Sequence, residues 1–261
     1  MKNALVAALA IIMAAATPAL SMGRQPSQEV VSIEVISESG SILQTIPYDD
    51  FWKSSTHVFR NYLEAHKGEK YGIIIRNRTS ERVGVVIAVD GRNIISGRQS
   101  NLGNNENMYI VNAGETGQYD GWRTSQNEVH RFFFTEAIDS YANKTFADSS
   151  AMGVIAAAVY KEKPQPQLQQ KLEAPTAKKS QMEDRALASE HAGTGFGDAQ
   201  YSPVIAVQFM PERAPIQKTL VKYEWRDVLC RKGILQCGRQ LGNRLWDDNQ
   251  YAPYPPGYSK N

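Results

Sequence analysis

The feature that most constrains this chain is a rhythm. Short apolar, β-branched and aromatic runs recur between residues 30 and 160, and turn residues separate them. Val30–Ile36 (VVSIEVI) alternates as a half-buried strand does, and Ser39-Gly40 turns the chain before Ile42-Leu43. Tyr71–Arg76 (YGIIIR) and Val83–Val89 (VGVVIAV) are two further β runs. Asp90-Gly91 between Val89 and Asn93-Ile94-Ile95 is the strongest short hairpin signal in the chain. Met108–Val111, Gln118–Trp122, Val129–Thr135 and Met152–Tyr160 extend the series. Runs spaced about 8–12 residues apart, with no helical crossover between them, predict an antiparallel β-sandwich and not a doubly wound sheet. Only Tyr48–Lys70 reads ambiguously. Asp49-Asp50 suits a helix start, and Phe59, Tyr62 and Leu63 fall at helical spacing.

The pattern stops at Lys161. Residues 161–192 are rich in Gln, Lys, Glu, Ala and Pro, hold no aromatic side chain, and predict a flexible linker after a sandwich spanning residues 28–160. Ser202–Phe209 (SPVIAVQF) and Ile216–Trp225 (IQKTLVKYEW) then read as strands of a C-terminal β segment, residues 193–245, which either joins the first sheet or stands apart. Residues 246–261 form a Pro- and Tyr-rich tail.

The N-terminus carries an address. Met1-Lys2-Asn3, the apolar run Ala4–Ala16, and Ala19 and Ser21 at −3/−1 spacing form a secretory signal peptide over residues 1–21. The run is too short for a comfortable span of about 20 apolar residues, and no later segment is long enough. A periplasmic or secreted protein is expected. In that oxidising setting Cys230 and Cys237 are expected to bridge across a turn at Gly233, because a continuous helix would hold their Cα atoms about 10 Å apart. With 29 Lys+Arg against 27 Asp+Glu, no basic stripe exists for phosphates, so no nucleic-acid partner is expected.

The stretch from Tyr62 to Tyr160 carries a set of short motifs: Val89–Gly97 (VDGRNIISG), Asp120–Ser125 (DGWRTS), Asp139–Ala142 (DSYA) and Gly153–Tyr160 (GVIAAAVY). Together with Gly193–Gly197 (GTGFG) and the YEWRDVLCRKGI stretch starting at Tyr223, they resemble a family of exported bacterial β-rich proteins with no assigned activity. The resemblance implies an exported β-rich protein and brings no catalytic residue with it.

Chemistry is sparse. SxxK and GxSxG motifs are missing, and Ser125-Gln126-Asn127 alone reads as a loop. His57, His66, His130 and His191 stand apart from one another and from both cysteines, so neither a metal nor a cofactor is expected. Asp90, Asp120 and Asp148 would need three loops to converge before they could hold calcium. Gly193–Gly197 lacks the strand-to-helix setting of a phosphate loop and reads as a hinge with a docked Phe196. Asp49-Asp50 and the pair Glu115 and Asp120 are the carboxylates available to a hydrolase. Tyr119, Asp120, Trp122 and Arg123 form the candidate ligand site: aromatic faces beside an acid and a base stack a sugar or a peptide side chain and bond its edges. Against this stands a structural role, with Trp122 anchoring the core. The reading is an exported, non-enzymatic β-sandwich that binds an envelope protein or surface polymer. The alternatives are a cell-wall hydrolase using loop carboxylates and a periplasmic small-ligand binder.

Overall fold

The structure, a computed structural model, describes residues 29–164 and 191–237. The expected signal peptide (residues 1–21), most of the expected linker and the Pro/Tyr-rich tail lie outside the described residues. In chain order the strands are β1 (Val31–Ser37), β2 (Thr45–Lys53), β3 (Thr56–Ala65), β4 (Lys70–Asn77), β5 (Val83–Val89), β6 (Arg92–Asn93) and β7 (Tyr109–Val111). They continue with β8 (Thr116–Tyr119), β9 (Gly121–Arg123), β10 (Glu128–Glu136), β11 (Val154–Lys161), β12 (Ala192–Thr194), β13 (Ala199–Tyr201) and β14 (Gln217–Trp225). Two one-and-a-half-turn helices, α1 (Tyr141–Phe146) and α2 (Arg226–Arg231), complete the set.

The strands form two sheets that pack as a β-sandwich. The first runs β1-β4-β10-β12, with β8 on β4 and with β9 and β13 on β10. The second runs β2-β3-β14-β11-β5-β6, with β7 on β5. Pairing is antiparallel except between β3 and β14, which run parallel over nine residue pairs. The period-2 pattern sets which side chains meet. Val31, Ile33, Val35, Tyr71, Ile73, Ile75, Phe132 and Phe134 face inward from one sheet, and Val85, Ile87, Val89, Ile155, Ala157, Val159 and Val221 from the other. A fully buried side chain of this kind contributes about 1.5–3 kcal/mol. The unbroken apolar run of β5 has its own explanation. Its even-numbered face is also covered, Val86 packing with Ala158 and Tyr160 beneath Leu102 and Met108.

Three buried polar links tie the sheets together. Asp90, 1% exposed, accepts hydrogen bonds from Gly153 N (2.7 Å), Thr194 N (2.7 Å) and Tyr223 Oη (2.5 Å). Because the carboxylate takes the Tyr223 proton, the Thr194 hydroxyl donates to Tyr223 Oη (2.7 Å) and Tyr71 donates to Thr194 Oγ1 (2.7 Å). The chain Tyr71–Thr194–Tyr223–Asp90 therefore has a single proton direction and crosses from β4 and β12 to β14 and the β5 turn. The Gln217 amide pairs with both backbone groups of Val31 (2.7 and 3.3 Å). Asn77 Nδ2 reaches the carbonyls of Val111 (3.1 Å) and Asn112 (3.0 Å). The hairpin reading of Asp90-Gly91 agrees with its backbone: φ is 49° at Asp90 and 75° at Gly91, the two positive values of a type I′ turn. Ala151 leaves no room for a Cβ on Gly91.

Several expectations are corrected. Tyr48–Lys70 holds no helix; it is the β2–β3 hairpin. Phe59 and Leu63 are buried as residues of one strand face, while Tyr62 points to the other face and meets Tyr48 edge-on. Gln118–Trp122 is two strands, because the chain leaves β4 for β10 at Asp120. Ser202–Phe209 pairs with no strand. Lys161 belongs to β11, Glu162 bridges to Pro211, and Ala192 opens β12, so both ends of the expected linker are structured. The Gly193–Gly197 segment is no hinge: Gly195 and Gly197 donate to Phe133 O (2.8 Å) and Arg131 O (2.9 Å) along β10. Its Phe196 is docked, stacked on His130. The described C-terminal strands join the sandwich, β12 and β13 in the first sheet and β14 inside the second.

Cys230 and Cys237 are bridged, with Cα atoms 5.5 Å apart. Helix α2 ends in a Schellman pair of bonds, Gly233 N to Cys230 O and Ile234 N to Leu229 O (both 3.0 Å), which bends the chain back to allow the bridge. The helix is also held by Lys232 to the buried Glu224 (2.9 Å) and by Arg226 to Glu64 (3.0 Å).

Burial pushes the Asp90 carboxyl up to about 6, although its three hydrogen bonds and Lys222 pull the other way. A carboxyl raised in the folded state adds stability that is complete below its unfolded value near pH 4 and is lost as pH rises through 6. Asp90→Asn does not titrate, so in urea melts its penalty against wild type should be larger at pH 4 than at pH 7, by about 2–3 kcal/mol. Parallel pH profiles for the two proteins would contradict this account of Asp90. Separately, Cys230→Ser should cost about 2–3 kcal/mol and leave the far-UV circular dichroism of the sheets unchanged. Truncation after residue 212 removes β14 from between β3 and β11 and should abolish folding. A folded truncated protein would show that the C-terminal strand is dispensable.

Candidate functional site

The sequence-predicted site residues occupy neighbouring positions with different surroundings. Trp122 is 2% exposed: its indole N–H donates to Gly195 O (3.0 Å), and its ring packs edge-on against Phe132 (5.2 Å) and tilted against Tyr141 (4.6 Å). It anchors the core and offers no free face. Asp120 turns toward the first sheet, accepting from Gln118 Nε2 (2.9 Å) and lying over Gly72. Tyr119 and Arg123 face elsewhere. Together with Tyr109 they line a cleft of about 1320 Å³ at the edge of the sandwich.

The cleft exists because residues 202–211, of which Ser202–Phe209 are expected as a strand, form a strap that passes from one sheet to the other. At its start Ser202 N and Val204 N donate to Asn127 O (2.8 Å) and Gln126 O (2.9 Å), on the β9–β10 hairpin. At its end Phe209 rests on Gly84 of β5, where a Cβ would come within 2.6 Å of the ring. Lys163 N donates to Met210 O (2.8 Å), Arg82 to Gln208 O (3.2 Å) and Asn104 to Glu212 O (3.1 Å). The hydrogen bonds sit at the two ends, and the middle residues 205–207 form none with other described residues. Ile205 is 85% exposed. The segment alternates like a strand without having one beside it, which is why its sequence misled.

Arg123 clamps the start of the strap. Its Nε donates to Tyr109 Oη (2.8 Å), Nη1 to the carbonyls of Ser125 (3.1 Å), Gln126 (3.4 Å) and Ser202 (2.9 Å), and Nη2 to Ser202 Oγ (3.2 Å). Tyr109 and Tyr119 lie against each other, centroids 4.2 Å apart. Burial raises both phenols, most strongly Tyr119, so both stay protonated donors across the physiological range. The other walls are amide-rich. Asn105 and Asn107 on one rim, and Gln126 and Asn127 on the other, are exposed and hold no side-chain hydrogen bond to a described residue. The lining carboxylate, Glu106, is occupied by Asn101 N (2.9 Å) and Gly103 N (2.7 Å).

The remaining candidates do not converge. Asp49 pairs with Arg60 (3.5 Å) and Glu115 accepts from Asn112 (2.9 Å). Asp90 lies in the core, and Asp148 pairs with Arg92 (2.5 Å), so the three aspartates of the imagined calcium site are held apart. Among the described residues no group of three His, Cys, Asp or Glu side chains could hold a metal ion. The same residues hold no helix long and apolar enough to cross a membrane. Sequence reasoning missed the strap and the two amide rims. The run Asn101–Asn107 is polar throughout its length apart from Leu102 and Gly103, but nothing in it says which segment it faces.

In comparisons with protein-family models, with curated proteins and with solved structures, nothing matches the chain.

Removing the clamp should loosen the strap alone. Arg123→Gln loses most of the donors that hold Ser202, at a cost of about 1–3 kcal/mol. Amide hydrogen exchange should rise at Ser202 and Val204, whose N–H groups are bonded to Asn127 O and Gln126 O, and stay unchanged in β5 and β11. Unchanged exchange in the strap would remove Arg123 from that role.

Proposed function

We propose that the protein is an exported, non-enzymatic binding module and that the cleft beneath the strap holds its ligand, an envelope protein or surface polymer. The observation that carries this reading is the pairing of two rims. Asn105 and Asn107 face the cleft from one side, Gln126 and Asn127 from the other, and all four amides are uncommitted within the described protein. Amides that donate and accept at both edges of a long open cleft suit a chain-like ligand rich in hydroxyls or amides. Binding chemistry is favoured over hydrolysis because Glu106 is already used by its own loop, and the other sequence-predicted carboxylates, Asp49, Asp50, Glu115 and Asp120, are not among the lining residues. Export is proposed on the signal peptide of residues 1–21 and on the resemblance to exported β-rich proteins.

The test is retention on isolated cell envelope. Co-sedimentation of the mature protein with envelope fractions should be saturable, and Asn105→Ala/Asn107→Ala/Gln126→Ala/Asn127→Ala should weaken it at least tenfold. Four exposed hydrogen bonds of about 0.5–1.5 kcal/mol each are enough for that loss. Equal retention of the variant, with an unchanged melting temperature, would place the binding surface elsewhere.

A further inference from the structure

Resting on this reading of the cleft, we infer that its ligand is an acidic glycan, with a sugar carboxylate received by Arg123 and hydroxyls received by the rim amides. The argument begins with charge. Of the other arginines of the sandwich, Arg60 has Asp49 beside it, Arg76 has Glu34, Arg82 has Glu162, Arg92 has Asp148 and Arg131 has Glu38, while Arg78, Arg98 and Arg213 are exposed. Arg123 is different. Each of its partners is a neutral oxygen, three carbonyls and two hydroxyls, and no described carboxylate lies within ion-pair distance. Neutral oxygens satisfy N–H groups and leave the charge of the guanidinium uncompensated. Nη2 carries two N–H groups and has one acceptor, so a donor remains for a ligand. Of the two other charged lining residues, Arg82 pairs with Glu162, and Glu106 accepts from the Asn101 and Gly103 N–H groups of its own loop.

The choice of a glycan rests on the surrounding groups. A single uncompensated cation is too little for a nucleic-acid backbone, whose binding grows with each phosphate neutralised. A peptide taken by strand addition needs a run of free main-chain groups. The extended segments here, β7 and residues 205–207, are each three residues long. Sugars need neither. Their hydroxyl pairs match side-chain amides, which rise from both rims, and the Tyr119 hydroxyl, which lines the cleft without a hydrogen-bond partner among the described residues, adds one more group. A carboxylate arriving at a half-buried guanidinium forms a charge-assisted hydrogen bond, stronger than those to the neutral hydroxyls.

The test uses the unaltered mature protein and three hexasaccharide probes: oligogalacturonate, its methyl ester, and cellohexaose. Isothermal titration calorimetry at 20 mM and 300 mM NaCl should give at least tenfold tighter binding of the acid than of either neutral probe, with the gap narrowing at high salt. Because the ester differs only at the carboxyl, this comparison does not depend on a variant that disturbs the strap. Arg123→Gln should then bind acid and ester alike. Equal affinities of wild type for acid and ester would overturn the carboxylate assignment. Failure of all three probes would overturn the glycan class, and the rim variant on envelope fractions would separately decide whether the cleft is the binding site. Acid preference that persists in Arg123→Gln would move the anion contact away from Arg123 and overturn the inference as well.

Discussion

Asp90 is buried where the two sheets meet, and every hydrogen bond it accepts from the backbone or a side chain comes from a distant part of the chain. Gly153 leads into β11, Thr194 sits on β12 and Tyr223 on β14. Through the Thr194 and Tyr223 hydroxyls the same carboxylate orders Tyr71 on β4. A buried carboxylate is costly unless its oxygens are occupied, and here they are occupied only when both sheets are assembled in register. The hydrophobic faces drive the sheets together without direction. The Asp90 chain, with Gln217 on Val31 and Asn77 on the β7 carbonyls, selects one alignment among the many that would bury similar area. The aromatic stack of Tyr71, Phe132, Phe134 and Trp122 grows around this chain and fills the centre of the sandwich.

Alignment also creates the cleft. Strands β7, β8 and β9 are short, and the cleft opens along that side of the sandwich, beside the Tyr109–Tyr119 pair. The chain returning from β13 to β14 has to cross that opening. It is fastened to the first sheet by Arg123 and the β9–β10 hairpin, and to the second by Phe209 over Gly84, and between these fastenings it stands clear. Position of β14 between β3 and β11 forces this crossing, because a strand inserted in the middle of the second sheet cannot be reached along the edge of the first. The parallel β3–β14 pair is the topological sign of the same long connection.

Much of the fold was legible because strand periodicity is local. Val30–Ile36, Tyr71–Arg76, Val83–Val89, Val129–Thr135 and Met152–Tyr160 all announce strands, and Asp90-Gly91 announces its turn. The misreadings occurred where a local pattern has two outcomes. Phe59 and Leu63 are four apart, which satisfies a helix face and a strand face equally. The alternation of Ser202–Phe209 is that of a strand, but the neighbours needed for a ladder are not there. For the candidate site, Tyr119 and Arg123 line the cleft, whereas Trp122 lies in the core and Asp120 lies over Gly72. Trp122 and Arg123 are adjacent, so in a strand they point to opposite sides, one into the core and the other to the cleft.

By itself the sequence determined the β class, the positions of most strands, the hairpin at Asp90 and the closeness of Cys230 and Cys237, since each depends on residues within about ten positions of one another. Tertiary structure alone decided that Asp90 is a core residue as well as a turn residue, that the C-terminal strand lies inside the second sheet, and that Arg123 faces a cleft without an acid beside it. Those facts depend on partners as far as 186 residues apart in the chain, as between Val31 and Gln217. Hydrophobic periodicity says which face of a strand is buried, but it carries no information about which strand lies opposite, and sites made between strands are therefore invisible to it.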